Sequence, residues 1–328
     1  MSRVTIINYH YVREIKNSPY PNLKGLEFKS FQKQLDFLEN KYNIIDPDDL
    51  YDQKKLKLES CLLTFDDGLK DHIKFVLPEL KKRKYKACFF PPAKPIETNI
   101  PLSTHLIHFI LEKTKDFKKL NQNLFNILKE ENFSNKEIED LWAKYSHKNN
   151  FDNEDVSFFK RILQKVLPFD MGNTITKKIF EERFNKSVQE ISKEIYLSKE
   201  DLIEIKKHGM TIGSHTYNHV WLETLNIKDQ EKELELSLKF LDTIGINTKN
   251  NWMMCYPFGS FNDDTISLLK KKNCSFGFTT ISGVANISDQ YTQTSYATND
   301  RNATIGPLYE QISRHALMKR VFKNCRHV

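Results

Sequence analysis

The sequence predicts an α/β protein: a parallel sheet wound with helices in the style of a β/α barrel, broken by a large helical insertion. Three observations carry this. Short, wholly apolar runs alternate with amphipathic helical patterns, the signature of a parallel sheet buried on both faces. Polar clusters stand immediately after several of those runs, at the strand ends where barrels keep their chemistry. Between them, about one hundred residues change to a purely helical texture. The pattern alone fits a doubly wound open sheet as well.

In order along the chain, Val4 to Tyr9 reads as a buried strand. Ser30 is placed to cap a helix carrying Phe31, Leu35 and Leu38 on one face. Cys61 to Phe65 is a second strand and stops at Asp66-Asp67-Gly68. The next helix turns Ile73, Val76, Leu77 and Leu80 inward, with Pro78 expected to kink it. Ala87 to Phe90 is a strand closed by Pro91-Pro92.

From residue 98 to 197 glycine almost vanishes, and Lys, Asn and Glu rise. Phe117, Leu120, Leu124 and Leu128 form one helical face, and Ile138, Leu141, Trp142 and Tyr145 another. The reading is therefore a first barrel part over 1–97, a helical insertion over 98–197 and a second barrel part over 198–328. Ser198 caps a helix ended by Gly209. Met210 to Ser214 is a strand leading into His215, and Leu234, Leu238 and Leu241 mark a helix ended by Gly245. Trp252 to Tyr256 and Phe276 to Thr280 are strands around a helix with Ile266 and Leu269.

Composition narrows the function. Lys plus Arg exceed Asp plus Glu by 50 to 43 over 328 residues, a formal charge of +7. That surplus suits an anionic substrate or peripheral contact with an anionic membrane. It is too diffuse for nucleic-acid binding, and an ordinary solvated surface accounts for it. The five cysteines form no C-x-x-C pair, which fits reduced thiols in the cytoplasm. The N-terminus reads as a strand rather than a signal peptide, and no apolar run approaches the roughly 18 residues of a membrane span.

Three clusters carry chemistry. In Thr64-Phe65-Asp66-Asp67-Gly68, adjacent carboxylates at a strand end call for a cation or a proton to offset them. The same residues are equally an acidic cap on a helix. In His215-Thr216-Tyr217-Asn218-His219, a helical turn would put both imidazoles on one face within reach of one cation. In Cys255-Tyr256-Pro257-Phe258-Gly259, a Pro-aromatic-Gly turn can aim a backbone N–H into a site.

Together and in this order, the clusters resemble the polysaccharide deacetylase family, carbohydrate esterase family 4. Its T-F-D-D-G motif stands at 64–68, its H-[S/T]-x-x-H motif at 215–219, and its R-x-P-aromatic-G motif at 255–259 without the arginine. The resemblance covers roughly residues 1–97 and 198–290. It implies a distorted (β/α)7 barrel that removes N-acetyl or O-acetyl groups from sugars. It assigns Asp67, His215 and His219 as ligands of a divalent metal and Asp66 as general base. Phe258 would offer its N–H to the oxyanion, and Tyr256 and Pro257 would meet the substrate. Zinc is the default cation for this donor set, with cobalt, nickel, manganese or iron as alternatives.

The sequence departs from the family at two points. Cys255 stands where the arginine that orients the base is expected, and the L-x-H motif that supplies the general acid is not recognisable. His10, ending the first strand, is the candidate in its place, while His315 reads as structural. Asp300, in Thr298-Asn299-Asp300-Arg301, resembles a late pocket stretch of similar deacetylases. The expected substrate is an acetylated sugar, nucleotide-linked or lipid-linked, handled in the cytoplasm during bacterial surface glycan assembly. The alternatives are an allantoinase-like amide hydrolase and a carbohydrate-binding module descended from an enzyme.

Overall fold

The computed structural model describes residues 3–297 apart from 58, 150, 151, 185, 294 and 295, with side chains up to Gln293. The chain forms two compact units: Met1–Ile15, Lys24–Thr98 and Lys193–Val328 in the first, and Lys16–Leu23 with Asn99–Ser192 in the second.

Seven strands organise the first unit: β1 (Arg3–Tyr9), β2 (Ser60–Asp66), β3 (Cys88–Phe90), β4 (Thr211–Ile212), β5 (Trp252–Cys255), β6 (Cys274–Phe278) and β7 (Tyr296–Ala297). β1, β2, β3 and β4 pair in parallel in that order. A bridge between Ser214 and Met254 leads on to the parallel pair β5–β6. A second bridge joins Phe278 to Gln293, just before β7, and β7 pairs in parallel with β1. Followed pair by pair among the described residues, the strands return to their start, which is a barrel's connectivity rather than an open sheet's. The sheet is mixed, not purely parallel, because Ala285–Asn286 runs antiparallel to β1.

The period-2 alternation of a strand sorts its side chains between two cores. Val4, Ile6, Leu62, Cys88, Phe90, Met253, Cys255, Phe276 and Phe278 meet in one cluster. Ile7, Tyr9, Cys61, Leu63, Phe65 and Phe89 face the opposite way, into a cluster with the helices. There Tyr9, Phe65 and Phe89, in register on three strands, stack at 5.2 and 5.0 Å. Burial of both faces is why these strands read as continuous apolar runs.

Two helix expectations need correction. Helix Phe28–Lys41 starts after Glu27, so Ser30 lies inside it rather than capping it. The earlier start lets Phe28 as well as Phe31 pack on the core. Pro78 does not kink a regular helix. The turn His72–Val76 is wide, with Leu77 N–H donating to His72 O, and Pro78 falls in the first turn of Leu77–Arg83, where its missing N–H costs little. The Ser198 cap forms as expected, a reciprocal pair with Asp201 ahead of helix Lys199–Lys207.

The second unit is helical, with Ser103–Lys113, Phe117–Glu130, Asn135–Tyr145, Glu154–Arg161 and Phe169–Arg183 as its main elements. Trp142, Phe125 and Phe158 form an aromatic cluster between them. Lys16–Leu23 joins this unit through Tyr20, whose ring meets Phe109 at 4.6 Å, and through Asn22 N–H donating to Glu112. No helix among the described residues is long and apolar enough to cross a membrane.

Candidate metal centre

The site is built at the C-terminal ends of β1, β2 and β5 and in the loop after β4. Asp66 is the last residue of β2 and keeps the strand's alternation, so it points to the same side as Leu62 and Thr64. Asp67 leaves that alternation, because it and Gly68 both take left-handed backbone, at φ 74° and 60°. Glycine is required at 68, since a Cβ there would stand 2.8 Å from Pro91 Cβ. The two neighbouring carboxylates are thus aimed differently, and both are buried.

The histidines do not share a helical face. His215 to His219 is a loop in which Thr216 and His219 have φ values of 59° and 55°, and these two reversals bring the rings together at 4.8 Å. The loop is held throughout. Ser214 N–H donates to Met253 O, and Cys255 N–H donates back to Ser214 O. Thr216 Oγ1 accepts from His219 N–H, and Glu233, on helix Ile227–Thr243, accepts from the N–H groups of Tyr217 and Asn218. His215 Nδ1 donates to Cys255 O at 2.7 Å, which fixes its tautomer and leaves Nε2 for a ligand.

Asp67 Oδ1 lies 3.6 Å from His215 Nε2 and 3.4 Å from His219 Nε2. All three residues are buried, and their ligand atoms lie within 4.8 Å of one another. Tetrahedral ligands about 2.1 Å from a cation stand about 3.4 Å apart, close to the separation of Asp67 from each histidine. Electrostatics point the same way. Burial works against a charged His215, yet its hydrogen bond to Asp67 and the charges of Asp66 and Asp67 outweigh it and raise its pKa. A divalent cation answers the same surplus of negative charge. The set is consistent with a divalent metal site.

Asp66 has its own surroundings. Its Oδ2 accepts from Asn8 Nδ2 at 2.7 Å and from Cys255 Sγ at 3.1 Å. Burial and the charge of Asp66 push the Cys255 thiol well up, so it stays protonated and donates. Asp66 Oδ1 is buried without a hydrogen-bond partner. His10 Nε2 stands 4.0 Å from an oxygen of each aspartate, and the imidazole is 23% exposed, within reach of solvent. Beneath it His72 donates from Nε2 to His10 O at 3.1 Å, and burial lowers the His72 pKa to about 4.

The third cluster divides. Phe258 has left-handed backbone at φ 57°, and its ring stacks on Trp221 at 4.4 Å and meets His219 edge-on at 4.7 Å. Pro257 is buried and opens the turn. Tyr256 is corrected as a substrate contact. Its side chain is 1% exposed, packs with Trp252, Met254 and Leu268, and donates its hydroxyl to Tyr291 O at 2.8 Å. Asp300 and His315 lie outside the described residues. Sequence reasoning missed Asn8 and Glu233. The signals were an amide inside an apolar strand and a glutamate beside the apolar face of a helix.

A family model described as polysaccharide deacetylase matches residues 151–277, a span that holds both histidines and the Pro257–Gly259 turn but not Asp66 or Asp67. Over 90 residues, 27% of this chain, the sequence is 31% identical to YxkH of Bacillus subtilis strain 168, named for the same family, and the match spans 32% of that protein. Solved structures match over far more of the chain. The Streptococcus pyogenes deacetylase PplD in complex with acetate aligns with a TM-score of 0.55 at 18% identity, over 90% of this chain and 93% of its own. IcaB from Ammonifex degensii aligns at 0.53 and 17%, over 90% and 92%. The polysaccharide deacetylase BC0361 from Bacillus cereus aligns at 0.55 and 16%, over 94% and 69%. At these identities the structural likeness speaks for the fold.

Proposed function

We propose that the chain is a metal-dependent deacetylase of the polysaccharide deacetylase family, removing an acetyl group from a sugar. The observation that carries this is the buried Asp67–His215–His219 set, its ligand atoms within 4.8 Å of one another, beside an Asp66 with one unengaged oxygen.

When bound, the cation supplies Lewis acidity, which polarises the acetyl carbonyl and eases deprotonation of water. Asp66 accepts the proton of the attacking water at Oδ1, the oxygen without a donor. The Phe258 N–H, turned by its left-handed backbone, donates to the oxyanion. His10, partly exposed and close to both aspartates, returns a proton to the leaving group. Zinc is the cation this donor set favours. The substrate we assign is a nucleotide-linked or lipid-linked acetamido sugar of bacterial surface glycan assembly. The location we assign is the cytoplasm, in keeping with the free thiols of Cys61, Cys88, Cys255 and Cys274.

The test is elemental analysis of the purified protein with an acetate-release assay on N-acetyl sugars and sugar nucleotides, with and without chelator. The expected result is near-stoichiometric metal and chelator-sensitive acetate release. Asp66→Asn should keep the metal and lower kcat by about 10²- to 10⁴-fold. Metal with ring-opening of a cyclic amide would move the assignment to the allantoinase-like class. Glycan binding without hydrolysis would make it a binding protein.

A further inference from the structure

Asn8 sits on β1, opposite Thr64 on β2 and on the same side of the sheet as Val4 and Ile6. It is 4% exposed in a strand whose other buried residues are apolar apart from Thr5. A buried amide needs partners on both ends. The Asp66 carboxylate can only accept, so the amide turns its N–H group towards Asp66 and its Oδ1 towards the Thr64 hydroxyl, 3.3 Å away. Asn8 Nδ2 then donates to Asp66 Oδ2 at 2.7 Å, a short bond to a charged acceptor. Cys255 Sγ lies 3.1 Å from the same oxygen, arriving from β5. Both donors therefore grip Oδ2, and Oδ1 is left without one.

We propose that Asn8, assisted by Cys255, is the positioning residue of this site, holding Asp66 by one oxygen so that the other faces the reacting water. The proposal rests on the deacetylase reading for its catalytic consequence. A carboxylate held from one side only cannot exchange its two oxygens by rotating about its last bond. Both donors are neutral, so they orient the base without placing a fixed cation beside it. Two positions that look unrelated in the sequence, an amide in the first strand and a cysteine ending the fifth, become one device through strand alternation and barrel closure.

The test compares Asn8→Leu, similar in volume but without a donor, with the wild-type protein. We expect kcat to fall by about 10- to 100-fold, the usual cost of losing an orienting partner. KM should stay within about two-fold, since the bond acts on the base rather than on bound substrate. Bound metal should be unchanged, and a crystal structure should show the Asp66 carboxylate rotated. Cys255→Ser, which keeps a donor, should stay within about a few-fold of wild type. If Asn8→Leu does not fold, Asn8→Ala takes its place. An unchanged kcat, a parallel loss of metal, or an unmoved Asp66 overturns the proposal. If the wild-type protein releases no acetate at all, the deacetylase reading fails by itself, and the orientation of Asp66 in the two crystal structures still decides for or against Asn8.

Discussion

At the scale of single residues, the site depends on groups whose chemistry is set by burial. His72 lies under His10, edge-on to Phe65 and Phe89, and burial lowers its pKa to about 4. An unfolded histidine titrates near 6.5. The folded pKa is therefore the lower one, and between the two values the unfolded chain binds more protons. Stability is fully present above about pH 6.5 and falls as pH drops towards about 4, by about 3 kcal/mol in all. His72→Gln keeps an N–H for His10 O but does not titrate. Urea titrations from pH 4 to 7 should show the wild-type protein losing about this much more stability than the variant on acidification. Equal slopes would mean that the imidazole is hydrated in the folded state. None of this was legible in the sequence, where His72 is one more polar residue in a helical stretch. Its burial is decided by the aromatic side chains of β2 and β3, which only the sheet register brings over it.

At the scale of elements, strands were the most legible part of the chain and loops the least. β1, β2 and β3 announce themselves because parallel strands buried on both faces have nowhere to put polar residues. The aspartates and histidines were legible as types at given spacings. Their convergence was not, because it depends on left-handed backbone at Asp67, Thr216 and His219, none of them a glycine. Such a loop needs support from elsewhere, and helix Ile227–Thr243 provides it. Glu233, 7% exposed, accepts from the N–H groups of Tyr217 and Asn218 and clamps the loop between the two histidines. On the sequence it is one of many glutamates on an amphipathic helix. Glu233→Ala should weaken metal affinity by about 10- to 100-fold while leaving the helix intact, because the ligands remain but their spacing relaxes. Competition titration with a chromophoric chelator measures this. An unchanged affinity would show that the backbone turns hold the loop unaided.

At the scale of the whole molecule, the barrel connectivity gathers two buried carboxylates and three imidazoles at one end of its strands. Asp66 and Asp67 are 2% and 4% exposed, and around them stand two neutral donors, Asn8 and Cys255, with His10, His215 and His219. Without a cation, the neighbouring carboxylates favour the protonated form of His215. Asp67 and Asp66 raise its pKa despite its burial. A raised folded pKa gives stability that is present at low pH and lost as pH rises through that value. The contribution of His215 to the stability of the metal-free protein should therefore shrink as pH rises through its raised pKa. The same rise in pH leaves fewer protons to compete with a cation for the histidines. A cation that binds the folded chain alone, present at one hundred times its dissociation constant, adds about 2.7 kcal/mol. For a chain of this size that corresponds to roughly 4 °C in Tm. Thermal melts with and without chelator should separate by about this much at pH 8 and by less at pH 6, and Asp67→Ala should abolish the separation at both. Coincident melts at pH 8 would mean that Asp67, His215 and His219 do not take up a cation in the folded chain, whatever their spacing.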